Sequence, residues 1–380
     1  MEILAGVFGA AIIFIVLWDA FETIVLPRRV PRRVRLTRLF YRSTWRPWSA
    51  LARLLSPGKR RETYLSFYGP LSLLLLLSVW AAGLIVGFAI MHWALGSAIN
   101  VVDRSANFGT DLYLSGTTFF TLGLGDVIPR TPFSRAITVI EAGMGFGFLA
   151  LVIGYLPVLY QSFSRREVNI TLLDARAGSP PTAAELLRRH NTPQGLDALQ
   201  RLLRDFERWA AELLESHISY PVLAYFRSQH VNQSWLGALT TLLDASALVM
   251  VGIEGGGARQ AQLTFAIARH AVVDLAQVFV TPPRSPAADR LSPAEFSKLR
   301  ARLAAAGLHF LEGGAVEARL LELRRMYEPY VNSLADYLQV SIPPWMPALQ
   351  AKDNWQTSAW EKSSAPEAPQ PAGIAVDEHF

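Results

Sequence analysis

Six consecutive residues, Thr121-Leu122-Gly123-Leu124-Gly125-Asp126, form the most chemically specific pattern in the chain. Glycine at every second position lets successive residues adopt unusual dihedrals, so that consecutive backbone carbonyls point the same way. A row of such carbonyls can replace the water shell of a cation. Thr117 and Thr118 precede the loop and Pro129 follows it. Thr110 or Asp111 can cap a helix of roughly ten residues that ends near Phe120. The carbonyls at its carboxyl end gather partial negative charge just before the loop.

Such a loop needs walls, and the flanking sequence supplies them. Residues 63–102 contain no Asp, Glu, Lys or Arg, and Leu71 to Leu95 has the length of a spanning helix. Trp80, His92 and Trp93 suit its interior and outer interface. A second wall, Ala136 to Phe163, is interrupted only by Glu141 and ends at Ser164-Arg165-Arg166. Non-helical backbone at membrane depth is tolerated only where protein buries it or where it lines a cavity. Helix, short re-entrant helix, glycine-alternating loop and helix are therefore read as an ion pore. A further apolar run, Ile3 to Trp18 extended through Asp19 and Glu22 to Leu26, covers roughly 36 Å as a helix. It lacks a positive leading segment and a small-residue cleavage site, and is read as a retained anchor.

Composition agrees with a membrane protein. Of 380 residues 51% are apolar and only 18% charged, against about a quarter charged in soluble chains. With no cysteine, a disulfide framework, a cysteine-ligated metal and a thiol nucleophile are excluded. Residues 28–61 hold twelve Arg or Lys and no acid, while the remainder holds 24 basic against 31 acidic residues. One basic segment directly after a spanning helix points to a cytoplasmic, lipid-facing stretch rather than to nucleic acid. Three crossings then put the N-terminus outside, residues 96–135 outside, and everything after Ser164 in the cytoplasm.

The loop in this context resembles the potassium channel family. Thr121-Leu122-Gly123-Leu124-Gly125-Asp126 is similar to that family's Thr-Val-Gly-Tyr-Gly-Asp filter, over a resemblance spanning about residues 64–165. It implies that Thr121 supplies hydroxyl and carbonyl at the inner end of the filter. Leu122, Gly123 and Leu124 would supply carbonyls to K+ above it, and Gly125 and Asp126 would form the outer mouth. Thr117 and Thr118 would support the filter from behind. Leu124 stands where the family usually has tyrosine, as in some two-pore-domain and fungal members, and Thr117 where some members have glutamate. One loop per chain and four per carbonyl cage predict a homotetramer.

Within the inner wall, Gly143, Gly145, Gly147 and Pro157 are gate candidates, because glycine loosens a helix and proline kinks it. Small-residue packing would use the same glycines. Glu141 is expected to face the re-entrant helix and to bond Thr117 or Thr118, stabilising the filter. Arg29, Arg32, Arg35 and Arg38 recur every third residue, like a voltage-sensing helix. Pro31 breaks that run and only one apolar helix precedes it, so an interfacial helix on anionic lipid is the better reading. Asp19 and Glu22 are expected to pair with these arginines.

The C-terminal half shows helical periodicity, capping boxes at Thr182 and Ser292 and a hinge at Ser179-Pro180-Pro181. No strand run is apparent. Trp235 to Ile253 is long enough to span, but Asp244 at its centre favours a buried helix pair. Gly252 to Gly257 lacks the strand and spacing of a dinucleotide loop. His217, His230, His270 and Glu215 would make a metal site only if the fold gathered them. These helices are read as either assembling four subunits or sensing a ligand.

The expected fold is an all-α membrane protein: three transmembrane helices with a re-entrant pore helix and selectivity-filter loop, then an α-helical cytoplasmic domain. Its parts are an anchor (1–27), a basic interfacial segment (28–62), a pore domain (63–165), a helical domain (166–350) and a disordered tail (351–380). The expected function is passive K+ conduction across a prokaryotic-type inner membrane, with no cofactor and no catalysis. The alternatives are a poorly selective cation channel, motivated by Leu124, and a non-conducting membrane-anchored sensor.

Overall fold

The computed structural model describes residues 2–26, 35–97, 99–101, 107–192, 195–230, 232–252, 258–286, 288–308, 311 and 313–347. Arg28, Arg29, Arg32 and Arg33 of the basic segment, Ile253 to Gly257 and the tail from 348 onward lie outside them. The chain divides into two compact units, Met1–Gln161 and Ser162–Phe380.

In the first unit, α1 (Glu2–Ala20) continues into a π-helical turn, Phe21–Val25, and packs along α4 (Tyr68–Ala94). A Cβ on Gly9 would lie 2.7 Å from the Gly87 carbonyl oxygen, and one on Gly87 would lie 2.6 Å from Ile13 Cγ1. The two backbones therefore touch, as small residues allow between helices in lipid. Around this seam Val16, Leu76, Trp80, Leu84 and Phe88 form the core.

The acids at the inner end of α1 find partners in the next segment. Glu22 accepts from Trp18 Nε1 at 2.8 Å and lies 3.3 Å from Arg35 Nε, as expected. For Asp19, four of the arginines expected to pair with it lie outside the described residues. Among the described residues its carboxylate accepts from Thr37 at the start of α2 (Leu36–Leu54) and from Trp80 Nε1 at 3.0 Å. A carboxylate against a helix N-terminus is stabilised by the unpaired N–H groups there, which an arginine pairing rule overlooks.

A short helix α3 (Lys59–Ser66) leads into α4. After it, β1 (Ile99–Val101) pairs antiparallel with β2 (Val127–Pro129), Asn100 opposite Ile128. This ribbon is a small addition to an otherwise helical unit; three-residue strands are too short to show alternation in sequence. Between the strands runs α5 (Phe108–Phe119), and after them α6 (Pro132–Ala177). The helix α5 is capped by Asn107, not by Thr110 or Asp111. The Asn107 side chain accepts from Thr110 N at 3.2 Å, and Thr110 Oγ accepts from Asn107 N at 3.3 Å, a capping box. Asp111 lies one turn further in, fully buried.

In the second unit, α7 (Ala183–Arg189), α8 (Gly195–Ser219), α10 (Ala258–Val278), α12 (Gly314–Arg325) and α13 (Glu328–Leu338) pack around α9 (Trp235–Gly252), with α11 (Pro293–Ala305) against α7. Among the described residues four helices are long and apolar enough to cross a membrane, α9 among them. Its apolar window is 94% buried within the unit, against 17% for the helix containing α6. The helical unit thus supplies α9 with the burial that lipid would otherwise provide, and its Asp244 with a guanidinium, Arg290 Nη2 at 2.6 Å.

Other expectations change here. The Ser292 capping box, with Pro293 at the first turn, forms as read. At Thr182 only half of it forms, because Glu185 turns instead to Arg188 and Arg189 at 2.6 and 2.7 Å. The supposed hinge is docked, since Thr241 Oγ donates to the Pro181 carbonyl at 2.8 Å. Burial raises the Glu185 carboxyl, but the two guanidinium groups outweigh it and hold it at about 2 rather than 4.5. A depressed carboxyl stabilises the fold above its unfolded value and loses that contribution as pH falls from 4.5 towards 2. Glu185→Gln should accordingly lower stability by about 1–3 kcal/mol at neutral pH, with the difference vanishing near pH 2. Parallel thermal melts at the two pH values check this.

Candidate ion-conduction site

The loop between α5 and β2 springs directly from the end of α5. Phe120 N donates to Gly116 O at 3.1 Å, Thr121 N to Thr118 O at 3.0 Å and Leu122 N to Thr117 O at 2.8 Å. From there the backbone alternates. Thr121, Gly123 and Gly125 have φ of +58°, +55° and +80°, while Leu122 and Leu124 between them stay at negative φ. Positive and negative φ in strict alternation turn successive carbonyls to one side, as the glycine spacing predicts. A β-branched residue at positive φ is strained, so Thr121 is held there by its surroundings. Nothing lies within 4 Å of a Cβ placed on Gly123 or Gly125. Glycine is required at these positions for its backbone freedom, not for space.

Among the described residues no hydrogen bond ends on a carbonyl from Thr121 to Gly125. The side chains are equally unaccompanied, with Leu122 61% and Leu124 64% exposed in the single chain. A polar row and an apolar row thus lie on one short loop, neither satisfied within the protomer.

At the outer end, Tyr113 on α5 donates its hydroxyl to Asp126 Oδ2 at 2.9 Å. Sequence reading missed this tie. The available signal was an aromatic hydroxyl on the helix two turns before the loop begins. Thr117 Oγ lies 3.0 Å from the carbonyl oxygens of both Tyr113 and Leu114, and so stays within its own helix.

Glu141 faces the pore helix as expected, but its partners are not Thr117 or Thr118. It is fully buried against Ser115 Oγ, with His92 Nε2 at 3.7 Å from Oε2. Ser115 lies one helical turn closer to the α5 N-terminus than Thr118 and faces α4, donating to Ile85 O at 2.8 Å. The depth was legible from sequence, but the helix face was not.

The glycines of α6 separate into two kinds. A Cβ on Gly145 would collide with the backbone of Phe119, the last residue of α5. Gly143 and Gly147 meet nothing within 4 Å. Gly145 is therefore a packing glycine that seats the pore helix, and only the others are free to serve as hinges. Pro157 lies inside α6, which continues to Ala177. We expect Gly145→Ala to cut ion flux by more than about tenfold, since a contact this close must displace backbone, and Gly143→Ala to stay within about twofold. Flux measurements on reconstituted variants distinguish the two.

In the second unit the histidines do not gather, and among the described residues no three His, Asp or Glu side chains could hold a metal. His217 instead lies 3.3 Å from Arg166 Nη1, and its Nδ1 lies 2.9 Å from Leu213 O. Burial, then the guanidinium, push the ring well below its ordinary range, so it stays neutral. His270 lies 3.7 Å from Asp274, and Glu215 accepts from Ser219 Oγ.

Comparison with known proteins agrees with this geometry. Residues 75–161 match the ion channel family model. The chain is also 26% identical over 194 residues to YdjJ, an uncharacterized membrane protein of Bacillus subtilis (strain 168). That match covers 50% of this chain and 55% of the relative, so the chain spans about half the length of the curated protein it matches. No solved structure matches. The matched segment takes in α4 from Leu75 onward, then α5, the alternating loop and α6 up to the unit boundary. This membrane protein carries, over residues 75–161, an ion-channel domain of the potassium-channel family.

Proposed function

We propose that the protein is a potassium channel in which four chains arrange their Thr121–Asp126 loops around one axis. The observation that supports this most directly is the unpartnered carbonyl row between the left-handed residues Thr121, Gly123 and Gly125. Four such rows form a cage of oxygens at membrane depth, and a dehydrated cation satisfies them. Potassium would bind at the carbonyls of Thr121, Leu122, Gly123 and Leu124, entering past Gly125 and Asp126. Leu122 and Leu124, bare in one chain, would then be covered by neighbouring pore helices. In this arrangement α1, α4 and α6 cross the membrane and α5 is the re-entrant helix. The N-terminus lies outside and the helical unit in the cytoplasm. No step involves catalysis, a cofactor or nucleic acid.

The basic segment fits the cytoplasmic surface of the bilayer. On α2, Arg42, Arg46 and Arg53 are exposed beside Leu39, Leu51 and Leu54, a guanidinium stripe next to an apolar one. Anionic headgroups and the acyl boundary are the matching partners. Pro157 is the favoured gate position, because a helix without its i−4 hydrogen bond there bends at least cost.

A second reading, a poorly selective cation channel, is favoured by Leu124. Its side chain offers no hydroxyl to brace the loop from behind, and at the outer end the loop is tied instead by Tyr113 to Asp126. Flux into liposomes holding the purified protein, with potassium and sodium as opposing gradients, decides between them. Potassium-selective flux supports the first reading. Equal sodium flux selects the second, and no flux under any gating condition would leave the membrane-anchored sensor.

A further inference from the structure

We infer that Glu141 holds a titratable proton behind the Thr121–Asp126 loop, and that this proton keeps the pore helix seated for conduction. The effect on flux rests on the channel reading above; the proton itself does not.

The inference comes from counting hydrogens. Ser115 Oγ lies 2.8 Å from the Ile85 carbonyl oxygen and also lies against Glu141 Oε1. A hydroxyl has one hydrogen to donate and two lone pairs to offer. A carbonyl and an ionised carboxylate are both acceptors, so Ser115 could serve only one of them. The other contact would bring lone pair against lone pair inside a site with no exposure to water. With a proton on Glu141 Oε1 the chain closes: Glu141 donates to Ser115, and Ser115 donates to Ile85 O.

The rest of the site agrees with a neutral carboxyl. Glu141 Oε2 and His92 Nε2 stand 3.7 Å apart, beyond hydrogen-bond range, and each is buried with no hydrogen-bond partner. An imidazolium and a carboxylate so placed in a low-dielectric interior would be drawn together. His92 Nδ1 lies 3.2 Å from Ser134 Oγ on α6. The other titratable group facing His92 among the described residues is Asp111 on α5, whose Oδ2 accepts from Ser97 Oγ. From α1, the uncharged Gly6 and Gly9 lie beside Ala94 and Met91, and the charged residue towards that end of the helix, Glu2, is exposed.

Losing the proton leaves a carboxylate uncompensated at membrane depth. It would take the Ser115 hydrogen away from Ile85 O and so release α5 from α4. The helix α5 ends at Phe119, two residues before Thr121, so its displacement reaches the conducting loop directly. Glu141 acts in this scheme as a positioning residue whose protonation state is read out as flux.

The test uses the full chain in liposomes, with potassium flux measured at matched internal and external pH. Wild-type flux should fall about tenfold as the pH is raised from about 6 to about 9. In Glu141→Gln the amide donates to Ser115 in place of the acid, and the ratio between the two pH values should be about one. A flat wild-type profile, or a Glu141→Gln profile that still falls, overturns the inference. Silence of the wild type would count against the channel reading, so the proton is also observed directly. Infrared spectra of the same liposomes at neutral pH should show a protonated-carboxyl C=O band that is lost in Glu141→Gln. Absence of that band overturns the inference whatever the flux does. Should Glu141→Gln fail to assemble, Ser115→Ala serves in its place, with the pH ratio again falling to about one.

Discussion

Gly123→Ala is expected to remove potassium flux from liposomes by at least about a hundredfold while leaving the oligomer intact on size-exclusion chromatography. The residue sits at φ +55° with no atom within 4 Å of a would-be Cβ, so the substitution creates no clash. What it changes is the backbone energy. An alanine in the left-handed region costs about 1–2 kcal/mol, and four chains would pay it together around one axis. Relaxing to negative φ rotates the carbonyls flanking position 123 out of the row and opens the oxygen cage. The fold has no other use for this residue, whose neighbourhood within the chain is open. Normal flux in this variant would sink the assignment of the loop as a filter.

The second large effect is expected far from the loop. Arg290→Met should destabilise the helical unit by about 3–5 kcal/mol. Arg290 donates to Asp244 Oδ2 at 2.6 Å, to Glu328 Oε1 at 3.1 Å and to the Pro343 carbonyl at 2.9 Å. Asp244, at the centre of α9, is fully buried and also accepts from the Tyr327 hydroxyl. Removing the guanidinium strands that carboxylate, and Glu328 keeps only Arg324, at 3.1 Å. Removing both charges, in Asp244→Leu with Arg290→Met, should cost less than removing the cation alone, because nothing charged is left buried. Thermal melts of the full-length variants test the order. A double variant less stable than the single would show that the hydrogen bond from the Tyr327 hydroxyl to Asp244, which the single keeps and the double loses, matters more than the stranded charge.

Features set by local chemistry were legible in the sequence before any coordinates. Alternating glycines announced the alternating φ, apolar length announced α1, α4 and α6, and Ser292 with Pro293 announced the start of α11. Features that depend on which face meets which were not. Asn107 outcompetes Thr110 and Asp111 as a cap because Asp111 is drawn inward to Ser97, a contact across fourteen residues. Glu141 was placed correctly in depth, yet whether it meets Ser115 or Thr118 depends on about one helical turn of relative sliding between α5 and α6. Gly143, Gly145 and Gly147 are indistinguishable by type, and only the Phe119 backbone singles out the middle one. The helical unit gave least away, since its decisive ion pairs join residues 46 and 38 positions apart.

The bare Leu122 and Leu124 side chains have a consequence for cells carrying two versions of this chain. In a fourfold ring built as proposed, each loop is completed by surfaces that its own chain does not own, so a faulty copy spoils its neighbours' sites as well as its own. Mixed in equal amounts and assembled at random, wild-type chains and a loop-defective variant would leave only about one ring in sixteen free of the defect. A variant of this kind would behave as a dominant poison rather than as a silent loss.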